Sequence, residues 1–444
     1  MQNENSIYSN RCWIEGKLKP ATISFENGII TNIFFGKNEN AFDAGNNIIM
    51  PGLIDAHVHI NEPGRTEWEG FETATKAAAA GGVTTIIDMP LNASPVTTSV
   101  KAFEEKLAAT KNKLYVNCGF YGGLVPDNIA EIESLIKAKV LGIKCFLTHS
   151  GIDEFPNVGE KELKEAMPII AKYNVPLMAH CEIFDEEIIF EEEKIAGSYQ
   201  QYLASRPKQW ENDAVALMIK LCRKHNCKTH IVHVSSAEAL ALIEEAKKEG
   251  LPLTAETCAH YIYFNAENIP DNNTVYKCAP PIREKDNNEL LKAALRRGVL
   301  DFITTDHSPA PPALKEIASG NLQKAWGGIA GLQFLLPTAW TSLKDTMTIE
   351  EFIPLVTNKP AHFLNIHLTK GILAVGFDAD ITIWNEQEAF LVEEKNVQHR
   401  HKISPYIGKK IFGVVQQTIV NGEVVFDNGR ILEHTNFGKA ILNK

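Results

Sequence analysis

Between residues 51 and 370 the chain alternates, eight times over, an apolar strand-like run with a helical stretch. The runs are LIDAHVHI, VTTIIDMP, LYVNCGF, GIKCFLT, VPLMAHCE, THIVHVSS, PLTAETCAH and DFITTDHS. Helical patterns such as TATKAAAAGG, EIESLIKAKV, ELKEAMPIIAKYN, DAVALMIKLCRKH, EALALIEEAKKEG and NELLKAALRRG separate them. Eight such units in a segment of this size predict a (β/α)8 barrel. The competing architecture, a doubly wound open sheet, would carry a glycine-rich phosphate loop after its first strand. None follows LIDAHVHI.

The polar residues of these runs collect at one end. His57 and His59, Asp88, Lys144, His180, His233 and Asp306 close the first, second, fourth, fifth, sixth and eighth runs, where barrel enzymes place their chemistry. His57 and His59 stand at i and i+2 of a strand, so both imidazoles face one side and can meet one ion. His57, His59, Lys144, His180, His233 and Asp306 make a ligand set. Four imidazoles and a carboxylate suit Zn, Co, Ni or Mn. Two ions a few ångströms apart need a bridging anion, which Lys144 supplies only if modified. A lysine desolvated at a strand end has a lowered pKa, and its neutral amine can add carbon dioxide to become a carbamate. The alternative reading pairs Lys144 with a buried carboxylate. His149, His225, His260, His362, His367, His399 and His401 fall outside the pattern and read as structural or substrate-shell residues.

Outside the repeats the chain changes character. ATISFENGIITNIFF near one end, and DADITIWN and VVQQTIVNGEVVFDNGR near the other, place Asn-Gly turns between β-rich runs. Residues 1–50 and 371–444 are therefore expected to form one small β domain, a β-sandwich, around a barrel of residues 51–370. At 444 residues the chain is long enough for both. A net charge of −11 argues against nucleic acid or an anionic membrane as partner. MQNENSIYSNRCW lacks the form of a signal peptide, and no stretch approaches the roughly 18 apolar residues of a membrane helix, so a cytoplasmic location is expected. The eight cysteines form no CxxC pair and read as reduced, buried thiols.

HVHINEPGRTEWEGF, DMPLNASPVTT, GIKCF, HCE, HVSS, ETCAHY, KCAPPIR, TTDHSP, KAWGGIAGLQ and HRHKISPY together resemble the cyclic amidohydrolases of the amidohydrolase superfamily. That group contains dihydroorotase, hydantoinase and allantoinase, and the resemblance runs over nearly the full chain. EPGRTEWEGFETATKAAAAGG, MPLN, DHSPAPP with KAWGGIAGLQ, and RHKISPY are most similar to the branch that opens allantoin. The resemblance implies a metal-dependent hydrolase barrel with a small β domain built from both chain ends. It implies two divalent ions, zinc foremost: His57, His59 and Asp306 on one, His180 and His233 on the other, carboxylated Lys144 bridging. A bridging hydroxide would attack the ring carbonyl of a small substrate, with Asp306 as acid/base. A homo-oligomer, a tetramer, is also implied.

Dihydroorotase carries an arginine two residues after its His-x-His pair, and here that position is Asn61. Losing that charge-assisted contact would cost a carboxylate substrate about 1.5–3 kcal/mol. A neutral amide instead suits the ureido group of allantoin, unless Arg65 or Arg283 compensates; a loop-capping role for Asn61 is the other reading. Asn92, and the backbone at Cys278 and Ala279, look like the family's contacts to the ring amide. His307 and Ser308 are expected near the leaving side, although Asn92 also fits a turn cap. THSGIDEFPNV, after the fourth run, reads as a loop over the pocket. Three functions stay open: opening of allantoin, a dihydroorotase or hydantoinase-like activity, and a non-enzymatic scaffold.

Overall fold

The computed structural model describes residues 5–184, 195–433 and 437–443. Its centre is a parallel barrel whose strands we number β1 (Leu53–Val58), β2 (Val83–Asp88), β3 (Asn117–Phe120), β4 (Ile143–Phe146), β5 (Leu177–His180), β6 (Thr229–Ile231), β7 (Leu253–Cys258) and β8 (Phe302–Thr304). Neighbours pair in parallel, with β3 reaching β4 through its continuation Gly122–Gly123. The ring closes where the His59 amide donates to the His307 carbonyl at 2.7 Å and Val58 bridges His307. β1 and β2 are buried throughout, which accounts for their unbroken apolar sequence.

The covering helices follow the expected periodicity. Helix Glu160–Lys172 buries Leu163, Ala166, Met167 and Ile170, spaced three and four apart, and Glu162 accepts from the Gly159 amide at 2.9 Å to start it. Helix Lys208–His225 ends at Asn226, whose left-handed φ of 47° an asparagine tolerates. Helix Phe71–Ala80 differs: all four alanines of AAAA are buried. Small side chains there let the second domain approach closely, and the Thr418 hydroxyl reaches the Ala79 carbonyl at 2.7 Å.

That second, β-rich domain draws on both chain ends. Ile48–Pro51 is its seam, antiparallel to Ile381–Leu391 on one side and parallel to Asn5–Ile14 on the other, within a nine-stranded sheet. The Asn-Gly turns at Asn27–Gly28, Asn421–Gly422 and Asn428–Gly429 all have positive φ at both residues, as a two-residue hairpin turn requires.

Two segments expected in the small domain lie on the barrel instead. In HRHKISPY, the Arg400 amide donates to Glu69, His401 pairs with the Glu67 carbonyl at 2.7 Å, and the Ser404 hydroxyl donates to the Ala330 carbonyl at 2.7 Å. Ala440–Ile441 pairs in parallel with Cys118 and Gly119, taking the edge of β3 that β4 leaves free. All eight cysteines are buried and none is in a disulfide. Among the described residues no helix is long and apolar enough to cross a membrane.

Candidate metal centre

Alternation along β1 turns Asp55, His57 and His59 to the barrel interior. Asp55 accepts from the amides of His57 and Thr305, each at 3.2 Å, and from the Thr305 hydroxyl. It thereby stitches β1 to the end of β8 and brings Asp306 between the two histidines. Asp306 Oδ1 lies 3.2 Å from both His57 Nε2 and His59 Nε2, and one donor atom from each residue falls within 4.8 Å of the others. Asp306 and His233 hold φ of 45° and 39°, a left-handed backbone that turns each side chain off its strand end.

His180 and His233 gather opposite. Their rings meet edge to face at 4.6 Å, His233 lies 5.5 Å from His57, and His180 stacks on Phe146 at 4.7 Å. Lys144 Nζ sits 4.9 Å from the Phe146 ring, wholly buried. Among the described residues it has no hydrogen-bond partner and no carboxylate at ion-pair distance, which speaks against the alternative of a buried ion pair. Buried Nδ1 atoms of His59 and His233 are also without partners. Imidazoles, a carboxylate and an unpaired amine around one space fit divalent cations bound through nitrogen and oxygen.

The electrostatics favour ligation. Burial holds His57 and His180 below the ordinary histidine range, and His233 well below it, which favours the neutral ring that offers a lone pair. Burial likewise pulls the Lys144 amine down, against the attraction of Asp306 and Glu256. Desolvation alone would raise Asp306, but His57, His59 and His233 around it hold the carboxyl well below the usual carboxylate range.

Behind these groups stand carboxylates that sequence reasoning missed. Glu256 on β7 accepts from His57 Nδ1 at 2.6 Å and from His230 Nε2 at 3.2 Å. Against the cost of burial, those rings keep its carboxyl ionised to about 2. Glu182 meets His180 Nε2 at 2.8 Å and pairs with Arg206. Glu211 accepts from the Ser235 and Ser236 amides at 2.8 and 2.6 Å, fixing the loop after His233. Asp88 is no ligand: it pairs with buried Lys106 at 2.6 Å and accepts from the Ile60 amide at 2.7 Å. Only Glu182, two residues after a histidine at a strand end, left a local signal.

A cavity of about 500 Å³ opens over the cluster, lined by His57, His59, Lys144, His180, His233 and Asp306 together with Asn92, Ala279, Ser308 and Trp326. Thr148–Gly151, from the loop expected to cover the pocket, form part of its wall. Three expected substrate contacts lie behind that wall. Asn61 is fully buried and donates to the Pro309 carbonyl at 3.4 Å, a loop-bracing role. The Cys278 carbonyl is taken by the Tyr202 hydroxyl at 2.7 Å. His307 Nδ1 accepts from the Gly331 and Leu332 amides at 3.1 and 3.3 Å. Neither arginine replaces the missing carboxylate contact: Arg65 is held by the Asn92 carbonyl at 3.1 Å and Glu154 at 2.6 Å, and Arg283 by Glu211 at 3.4 Å.

Residues 48–425 match the model of the Amidohydrolase family. The chain is 41% identical to an allantoinase of Arabidopsis thaliana, over 96% of this chain and 88% of that protein. It is 38% identical to an allantoinase of Saccharomyces cerevisiae, over 99% of each. Among solved structures it superposes on an L-hydantoinase (dihydropyrimidinase) from Arthrobacter aurescens with a TM-score of 0.91 and 29% identity, covering 98% of this chain and 99% of that one.

Proposed function

Since the chain belongs to the amidohydrolase family, we propose that it hydrolyses a five-membered cyclic amide, opening the hydantoin ring of allantoin to give allantoate. The observation that carries this reading is the convergence of four histidines, Asp306 and a partnerless buried lysine on one cavity. The same convergence, with every expected ligand type present, speaks against a scaffold that has lost its chemistry.

His57, His59 and Asp306 would hold one ion and His180 and His233 the other. Lys144 would bridge them after its neutral amine loses a proton and forms an N–C bond to carbon dioxide, giving a carbamate. Two divalent ions, zinc foremost, would supply Lewis acidity and lower the pKa of the attacking water from about 15.7 towards 7. Asp306 takes a proton from that water as its oxygen bonds to the ring carbonyl carbon. It then returns the proton to the ring nitrogen as the C–N bond breaks. The neighbouring imidazoles keep its carboxyl ionised, so its oxygens are free to accept. Asn92, whose Oδ1 at the cavity wall has no partner among the described residues, the Ala279 backbone and Ser308 are the groups proposed to meet the substrate amide and ureido functions.

Ring opening on allantoin, dihydroorotate and hydantoin, measured side by side on metal-loaded protein with bicarbonate, tests the assignment. Strong preference for allantoin is expected. Preference for dihydroorotate would refute it. We further propose that the protein is a cytoplasmic homotetramer; light scattering giving any other mass would overturn the tetramer, and fractionation the location.

A further inference from the structure

A column of polar side chains runs along the barrel from its catalytic end towards the opposite one. β6 and β7 pair so that His230 faces Thr254, and Glu256 lies two residues on, turned to the same interior side. Thr254 Oγ1 lies 2.7 Å from His230 Nδ1, His230 Nε2 lies 3.2 Å from one Glu256 oxygen, and His57 Nδ1 lies 2.6 Å from the other. The far end is half-buried at Thr254, on the wall of a separate cavity at the strands' N-terminal ends.

With Glu256 a carboxylate acceptor and both imidazoles neutral, the donor inventory permits one proton arrangement. A carboxylate only accepts, so His57 carries its proton on Nδ1 and His230 on Nε2. His230 Nδ1 then has a lone pair, which the Thr254 hydroxyl fills. His57 Nε2 is left unprotonated, and that is the nitrogen aimed at Asp306 and the cavity. We propose that Glu256 is a positioning residue for the metal centre: backed by His230 and Thr254, it fixes the tautomer and ring orientation of His57 and raises its strength as a ligand. A carboxylate behind a ligating imidazole is worth about 10–100-fold in metal affinity.

The inference rests on the metal-centre reading above, and the test separates the two. Co(II) affinity is measured by chelator competition, and the visible d–d spectrum recorded, for wild type, Glu256→Gln and His230→Gln, with far-UV circular dichroism as the check on folding. Glutamine keeps the shape of Glu256 but has no charge and one oxygen for two imidazoles. Glu256→Gln is expected to weaken Co(II) binding by about 10–100-fold and alter the spectrum at unchanged fold. His230→Gln is expected to shift both in the same direction by a smaller factor. A merely structural glutamate would leave the spectrum of the folded, loaded protein as it was. Wild-type affinity and spectrum in Glu256→Gln would overturn the proposal, as would a wild-type result for His230→Gln should the first variant fail to fold. A wild-type protein that binds no Co(II) would overturn the metal centre itself, and this inference with it.

Discussion

Replacing Lys144 by methionine should make the metal-free protein more stable while abolishing its ability to take up metal. Lys144 is fully buried and its Nζ has no partner among the described residues. An unsatisfied buried polar group costs about 1–3 kcal/mol, and methionine offers similar length without the amine. At roughly 2.1 cal/mol/K per residue, unfolding 444 residues carries an entropy near 0.9 kcal/mol/K, so the metal-free melting temperature should rise by about 1–3 °C. The pH dependence has a definite sign. Burial lowers the native amine pKa below its unfolded value of about 10.4, so wild type is penalised below that pH and the penalty fades as pH approaches it. The advantage of the variant should therefore shrink from pH 7 to pH 10. Calorimetry on chelator-stripped proteins in carbon-dioxide-free buffer gives the first half of the result. Metal analysis after reloading with zinc and bicarbonate gives the second. A variant that melts several degrees lower would mean that Lys144 makes a favourable contact. One that reloads as much metal as wild type would refute the bridging role.

Three further expectations follow from other parts of the molecule. Asp306→Asn should lower kcat by about 10²–10⁴, in initial-rate measurements with metal content determined on the same samples. Trp326, packed edge to face on Trp68 at 5.0 Å and donating to the Ser308 hydroxyl at 3.4 Å, forms cavity wall. Trp326→Ala should raise KM on the order of tenfold with kcat nearly unchanged, and a kcat loss of the same size would place Trp326 in the chemistry. Burial holds His399 down to about 3, far below its unfolded value, so its stabilising share is complete above about pH 6.5 and lost as pH falls. Between pH 6.5 and 5 that loss is about 2 kcal/mol at 1.36 kcal/mol per unit. His399→Phe should flatten this limb in thermal melts, and parallel curves would refute it.

What the sequence revealed and what it hid divide along the range of the interactions. The barrel was legible because each strand declares itself locally, and the ligands were legible because each ends its own strand. Glu256 was not, because its partner His57 lies 199 residues away and nothing near either names the other. Asn61, two residues past His59, fits either a substrate contact or a loop cap by its place in the sequence. Its side-chain amide donates to Pro309, 248 residues on, a contact nothing beside Asn61 announces. Asp55 stands two residues before His57 and shares its face, so its inward direction was available; its task of fastening β8 was not. Ala440–Ile441 looks like any short β segment, and its attachment to β3 depends on an edge that exists only once the barrel has formed.

The seam at Ile48–Pro51 has a consequence for how the protein is made. On the ribosome this strand appears early, yet its antiparallel partner Ile381–Leu391 is synthesised about 330 residues later. At about 5–20 residues per second, the wait is roughly 15–70 s. Through that interval an apolar strand, buried at every position in the finished molecule, has one edge unpaired. Charge inserted into Ile381–Leu391 would therefore do its damage during synthesis, as aggregation of nascent chains, before any loss of stability in the completed enzyme could be measured.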